Sequence, residues 1–273
     1  RTCRSNQKRD STQNYSRRMK EFHVFYAPDI ATNKELPHDE AQHITKVLRM
    51  KEGEEIIITD GKGSFYKAAL SLVTNKHCSV QLLSQESARP LWKNKIEIAV
   101  APTKHLDRME WFVEKATEIG VDQINFVACE FSERKQIKID RMNRIAISAM
   151  KQSHKAILPQ IPEMITFNAF INRPFEGKRY IAHCYNMENI CDADSSPTNA
   201  STSIHSSAFL GQLLKGEESA QVLIGPEGDF SLREVEAAVA AGFIPVSLGN
   251  SRLRTETAAL VAVHLMNLAN STQ

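Results

Sequence analysis

Two short stretches carry residue types and spacings suited to chemistry at the edge of a sheet. The first is Gly225-Pro226-Glu227-Gly228-Asp229-Phe230-Ser231, directly after the apolar run Val222-Leu223-Ile224. Glycines on both sides of Pro-Glu permit a tight turn and a close approach of backbone to a ligand. Ser231 and Glu234 form an S-x-x-E capping box for a following helix. The second is Leu248-Gly249-Asn250-Ser251-Arg252-Leu253-Arg254-Thr255-Glu256-Thr257-Ala258, which follows a strand-like run and opens an apolar helix. Free N–H groups at a helix start favour acceptors and anions. Thr255 and Glu256 alone suit ordinary capping. Arg252 and Arg254 do not, because a cation there opposes the helix macrodipole. A phosphate or a carboxylate is their natural partner.

Other chemistries lack their signatures. There is no G-x-x-x-x-G-K-[ST] loop, no G-x-G-x-x-G after a strand, no G-x-S-x-G elbow and no H-E-x-x-H. The nine histidines and five cysteines show no metal-ligand spacing, so no metal is expected. Scattered, odd-numbered cysteines fit a reducing, cytoplasmic compartment. No apolar run approaches the roughly 20 residues that span a bilayer, so no membrane partner is expected.

The elements that must hold these loops are legible as two blocks. Residues 19–89 read as a small β-rich domain. Phe22–Tyr26, Glu55–Thr59, Phe65–Val73 and Cys78–Leu83 are strand-like, and Asp60-Gly61-Lys62-Gly63 is a turn. Between the first two strands, Pro37–Arg49 reads as one helix with a stripe of Ala41, Ile44, Val47 and Leu48. Residues 84–94 look like a linker. Residues 90–273 alternate strands with helices, which implies an α/β sheet with substantial parallel pairing. Strands are expected at Ile96–Val100, Val121–Cys129, Arg179–Cys184, Val222–Ile224 and Pro245–Leu248. Helices are expected at His105–Ile119 with Gly120 as its C-cap, Asp140–Lys151, Ser231–Ala241 and Thr255–Asn270. Asp192–Ser207 is Ser-, Thr- and Asn-rich and reads as an exposed loop.

Residues 1–18 stand apart. They hold six basic residues against Asp10, with Tyr15 their only large apolar or aromatic residue. They read as a disordered leader or an expression remnant, with Met19 as the natural start. The whole chain has a net charge of +2, and the leader holds a surplus of five, so the body carries −3. Any affinity for nucleic acid must therefore come from a local patch.

The pattern G-P-E-G-x-F-S, a helix, V-S-L-G and R-x-L-R-T-E-T-A resembles the signature of the SPOUT methyltransferases. More narrowly, it resembles the bacterial family that methylates N3 of a uridine in small-subunit (16S) ribosomal RNA. His43-Ile44-Thr45-Lys46-Val47-Leu48-Arg49-Met50 is similar to that family's RNA-binding motif. Lys104, Arg108-Met109-Glu110-Trp111 and Lys115–Gly120 are similar to its first catalytic-domain helix. The resemblance implies a PUA-like barrel followed by an α/β domain with a trefoil knot, acting as a homodimer. It implies S-adenosylmethionine as cofactor, cradled by Leu223, Ile224, Gly225 and Gly228, by Leu248 and Gly249, and by Leu253, Thr255, Thr257 and Ala258. Three places depart from the family pattern. Asp229 replaces a glycine, Lys151 replaces a glutamate, and Asn250-Ser251 replaces a Pro-containing pair.

Methyl transfer at uridine N3 needs a proton removed or an anion stabilised. Arg254 is the expected stabiliser, with Glu256 or Glu227 orienting it. His43, Lys46 and Arg49 are expected RNA contacts, and Arg252 a phosphate contact. The alternatives are a related enzyme acting on a ribose 2′-hydroxyl or a tRNA base, or a non-catalytic RNA-binding dimer.

Overall fold

The computed structural model describes residues 23–74, 76–183 and 208–271. The expectations for residues 1–18 and for Asp192–Ser207 fall outside the described residues. The chain forms two units. One comprises the described residues up to Pro90 together with Ile147–Leu158, and the other comprises Leu91–Ala146 with the residues from Pro159 onward.

In the first unit, the strands pair into a four-stranded sheet in the order β1-β2-β3-β4. Strand β1 (Val24–Tyr26) runs parallel to β2 (Glu55–Thr59). Strands β2, β3 (Ser64–Val73) and β4 (Cys78–Ser87) are antiparallel neighbours. The turn between β2 and β3 is held by Asp60, whose Oδ1 accepts from the N–H groups of Lys62 at 2.8 Å and Ser64 at 3.0 Å. Phe25, Ile30, Ile44, Ile56, Ile58 and Leu70 fill the core.

Two expectations are corrected here. Residues 84–87 are not linker: β4 continues to Ser87, paired across a register shift with the start of β3. Nor is Pro37–Arg49 one regular helix. Helix α1 (His38–Gln42) widens into a π-helical segment, His43–Leu48, which Arg49 ends at φ 53°. The Thr45 hydroxyl donates to the carbonyl of Ala41 at 2.9 Å, a side-chain bond that competes with the regular ladder. The wider turn keeps Ile44 fully buried but leaves Val47 68% exposed, outside the expected stripe.

The second unit is a seven-stranded sheet in the order β7-β6-β5-β10-β8-β11-β9, parallel at each pairing. Its strands are β5 (Ile96–Val100), β6 (Gln123–Ala128), β7 (Ile165–Thr166), β8 (Lys178–Ala182), β9 (Ala208–Phe209), β10 (Ala220–Ile224) and β11 (Ile244–Ser247). Its helices are α2 (Leu106–Ile119), α3 (Ile139–Gln152, which passes into the first unit at Ile147), α4 (Phe167–Ile171), α5 (Leu210–Leu213), α6 (Leu232–Ala240) and α7 (Thr255–Asn270). Strands β5 and β10 are buried along their whole length, as expected for central parallel strands covered on both faces. Strands β7 and β9 and helices α4 and α5 are too short to leave a periodic signal, and the sequence reading missed them. Gly120 ends α2 at φ 122°, its N–H on the carbonyl of Ala116 at 2.9 Å.

Candidate active site

Parallel pairing brings the carboxyl ends of four strands to one level. Ile224 pairs with Val100 on one side and Ala182 on the other, and Ala182 also pairs with Val246. From β5 the chain proceeds to β6 and β7 in one direction, whereas β10, β8 and β11 lie in the other. The boundary between β5 and β10 is therefore a topological switch point, where open parallel sheets leave a crevice at their carboxyl edge. Both loops singled out in the sequence open onto that edge.

The first loop is braced from several sides. The fully buried Phe230 ring plugs it from below, and a side chain at Gly225 would meet that ring at 3.1 Å. Asp229 takes φ 65°, the left-handed region, with its N–H on the carbonyl of Pro226 at 3.0 Å. Its own Oδ1 accepts from the N–H of Phe230 at 2.8 Å. That conformation explains why the family pattern carries glycine here, and the local hydrogen bond explains why an aspartate is tolerated. Glu227 is exposed, and its Oε1 accepts from the N–H of Lys104 at 3.1 Å. Ser231 and Glu234 form the complete capping box of α6. Glu234 is buried, and its other oxygen accepts from the N–H of Glu130 at 2.8 Å, which ties the loop after β6 to the loop after β10. Arg134 extends the frame by donating to the carbonyls of Thr103 and Lys104.

The second loop is more open. Gly249 sits at φ 119°, and a side chain there would meet no atom within 4 Å. The backbone is bare at this point because the conformation excludes most side chains, which leaves a cradle beside the sheet edge. Ser247 Oγ holds the turn through the N–H and carbonyl of Gly249. Arg252 and Arg254 are exposed, and Arg254 is the N-cap of α7 without any side-chain capping bond. Thr255 and Glu256 are buried beneath them. Arg108 of α2 reaches Glu256 Oε1 at 3.8 Å, while Glu256 Oε2 is buried with no hydrogen-bond partner among the described residues. A buried carboxylate oxygen in that state calls for a donor from outside the chain's own fold.

The structure thus brings Leu223, Ile224, Gly225, Glu227, Gly228, Leu248, Gly249, Leu253, Arg254, Thr255, Glu256, Thr257 and Ala258 to one edge of the second unit. His43, Lys46 and Arg49 belong to the first unit and are exposed. The His43 ring lies edge-on to Phe25 at 6.2 Å between centroids. Sequence reasoning gave His183 no role, and it named Lys104 and Arg108 only as matches to the family's first catalytic-domain helix. His183 directly follows β8, so it stands at the level of Gly225 and Ser247. Burial pushes its imidazole below the usual range, and the nearby Asp229 carboxylate partly opposes this. Its place as the residue after a buried parallel strand was the available signal. The ion pair of Arg108 with Glu256 and the backbone contact of Lys104 join segments far apart in sequence, and no spacing announced them. Cys129 lies under the same frame, and burial with the Glu234 charge raises its thiol far above reactive values.

Comparison with known proteins fits this geometry. A family model described as an RNA methyltransferase domain matches residues 90–267, and an RNA methyltransferase PUA domain matches residues 36–83. The chain belongs to this RNA methyltransferase family. Its fold is that of a crystal structure from Porphyromonas gingivalis described as a probable rRNA methyltransferase. The two are 44% identical with a TM-score of 0.79, over 91% of this chain and 98% of that one. A ribosomal RNA small subunit methyltransferase E from Neisseria gonorrhoeae, solved bound to S-adenosyl methionine, is 26% identical with a TM-score of 0.75, covering 90% and 97%. The enzyme of the same name from Bacillus subtilis is 28% identical over 82% of this chain and 86% of its own.

Proposed function

We propose that this chain transfers a methyl group from S-adenosylmethionine to N3 of a uridine in small-subunit (16S) ribosomal RNA, as a cytoplasmic homodimer with a knotted catalytic domain. The observation that carries this reading is the pair of loops at the switch point, the second of which bears the bare backbone of Gly249 and the orphaned carboxylate oxygen of Glu256. These features fit the cofactor. Leu223 to Gly228, Leu248-Gly249 and Leu253 to Ala258 would hold it through backbone N–H and carbonyl groups, and Glu256 would accept from one of its donors. When bound, the cofactor supplies an electrophilic methyl group on a sulfonium. The non-sequential order of β10, β8 and β11 is compatible with a knot, and the relatives' names support ribosomal RNA as substrate.

The chain's residues then divide the work. Loop rigidity, from the Glu234 and Glu227 hydrogen bonds, holds the nucleophile in line with the methyl carbon. Arg254, exposed at the mouth, stabilises the negative charge that develops on the uracil as N3 loses its proton. The largely buried Glu256 sets the electrostatics beneath Arg254, with Arg108 within 3.8 Å of its Oε1. Arg252 meets phosphate, and His43, Lys46 and Arg49 of the first unit bind RNA.

The test is calorimetric titration of S-adenosylmethionine into wild type and Gly228→Arg, followed by mass-spectrometric mapping of methylated uridine in small-subunit RNA. Saturable binding that the variant loses, with retained folding by circular dichroism, supports the cofactor site. A well-folded wild type that binds no cofactor overturns the enzyme and leaves an RNA-binding dimer.

A further inference from the structure

A second concavity, of about 500 Å³, lies on the second unit at the carboxyl ends of β6 and β7, beside the first loop of the proposed cofactor site. Glu130, Lys135, Thr166, Asn168 and Arg233 line it, over a floor that includes the buried Phe167. The volume falls in the range that takes a nucleoside-sized ligand. Its frame is shared with the first site. Glu234 caps α6 with one oxygen and holds the backbone of Glu130 with the other. Across the same loop, Phe131 lies 3.3 Å from where a side chain on Gly228 would begin. Thr166 is committed to capping α4, accepting from the N–H of Ala169 at 3.3 Å.

The groove's charges are arranged for a ligand. Lys104, Lys115 and Arg141 of this unit are each matched to a glutamate. Lys135 and Arg233 make no ion pair or hydrogen bond among the described residues, although both line the same concavity. Arg233 also sits in the first turn of α6, where the helix macrodipole disfavours a cation. Two exposed cations without a protein counter-charge on one concavity suit an anion, while Glu130 on the same lining disfavours a bare one. A ligand carrying both an anionic phosphate and a base edge with N–H groups satisfies all three, and the Asn168 amide adds a donor and an acceptor.

Given RNA as the substrate proposed above, we infer that this groove binds one nucleotide of the strand flanking the target uridine. Lys135 and Arg233 hold its phosphate, and Asn168 with Glu130 meets its base edge. The shared Glu234 frame then fixes the spacing between the flanking nucleotide and the reacting one.

The test uses the full chain and small-subunit ribosomal RNA as probe, with Lys135→Ala/Arg233→Ala and Asn168→Ala as variants. Neither variant replaces a residue of the proposed cofactor loops, so S-adenosylmethionine affinity should match wild type, and thermal unfolding should be no lower, since Arg233→Ala removes a cation from a helix start. For the double variant, RNA affinity should fall about tenfold, and the slope of log affinity against log salt should become shallower by roughly 0.7, the value for one single-strand phosphate contact. Methyl transfer should show a raised KM and an unchanged kcat. Asn168→Ala should raise KM without altering the salt slope. Inorganic phosphate should not compete with RNA at matched ionic strength, since the groove needs the base as well. An unchanged RNA affinity and salt slope in the double variant would refute the groove while leaving methylation by the wild type intact. A wild type that binds no RNA would overturn both the groove and the enzymatic function.

Discussion

Asp229 offers a quantitative test of how the first loop is built. It occupies the left-handed region at φ 65°, where an ordinary L-residue is strained by roughly 1–2 kcal/mol. Its carboxylate offsets part of that strain by accepting from the N–H of Phe230 at 2.8 Å, a bond with a net value of about 1 kcal/mol. Replacement by alanine keeps the strain and loses the bond, so Asp229→Ala should destabilise the second unit by about 1 kcal/mol. Asp229→Gly also loses the bond, but it relieves the strain at an added entropic cost of roughly 0.5–1 kcal/mol, and should lie within about 1 kcal/mol of wild type. A β-branched residue suits this conformation least, so Asp229→Val should be the least stable of the three. Urea unfolding followed by circular dichroism orders the series. The loop is also the proposed cofactor cradle, so affinity for S-adenosylmethionine should fall in the same order, glycine least. If alanine proves as stable as glycine, backbone conformation is not what the family's glycine serves, and the account of the loop fails.

Three further outcomes follow from the geometry. Arg254→Ala should lower kcat by about 10²–10³-fold, the effect of removing one donor to a developing anion, while cofactor affinity by calorimetry changes little; equal losses in both would make Arg254 a cofactor ligand instead. Glu97 is buried in the sheet, and its Oε1 accepts from Asn125 and Gln221 at 2.8 Å each while Lys95 reaches Oε2 at 2.9 Å. Glu97→Ala orphans two buried amides and should cost about 3–5 kcal/mol in unfolding experiments, whereas Glu97→Gln keeps the acceptor and should cost about 1 kcal/mol; similar losses for both would show that the amides find other partners. His183 has its folded value depressed by burial, so below its unfolded value of 6.5 the unfolded chain takes up a proton that the native state resists. Stability should therefore fall as the pH drops below that value, with a slope of at most about 1.4 kcal/mol per pH unit that solvent screening reduces further, and stay flat above it. His183→Asn should remove that part of the acid sensitivity, and an unchanged pH slope in the variant would place it on other groups.

Which parts of this molecule can be read from its sequence follows from the range of the interactions involved. The strands β5 and β10 and the helices α2 and α7 announce themselves through apolar runs and helical spacing, because burial of a continuous face repeats along the chain. The two site loops are equally visible, since tight turns and helix caps are local chemistry written in Gly, Pro, Ser and Glu. The widened turn at His43–Leu48 is not, because the apolar spacing there is the same as that of a regular helix. Nor is the grouping of Ile147–Leu158 with the first unit, where the change of family residue at Lys151 finds its reason. Lys151 Nζ lies 2.6 Å from Oε1 of the buried Glu40, which also accepts from the N–H of Tyr26. A glutamate at 151 would set two carboxylates against each other in a dry environment, so the lysine and Glu40 belong together. The same logic governs the active site. Arg252 and Arg254 were legible as cations in the wrong place for a helix, but the partner of Glu256 is Arg108, some 148 positions away along the chain and on another helix. Charges that look unmatched locally are resolved by the fold, by solvent or by a ligand, and only the three-dimensional arrangement separates these. Lys151 is resolved by the fold, whereas Glu256 Oε2 and the side chains of Lys135 and Arg233 find no partner among the described residues.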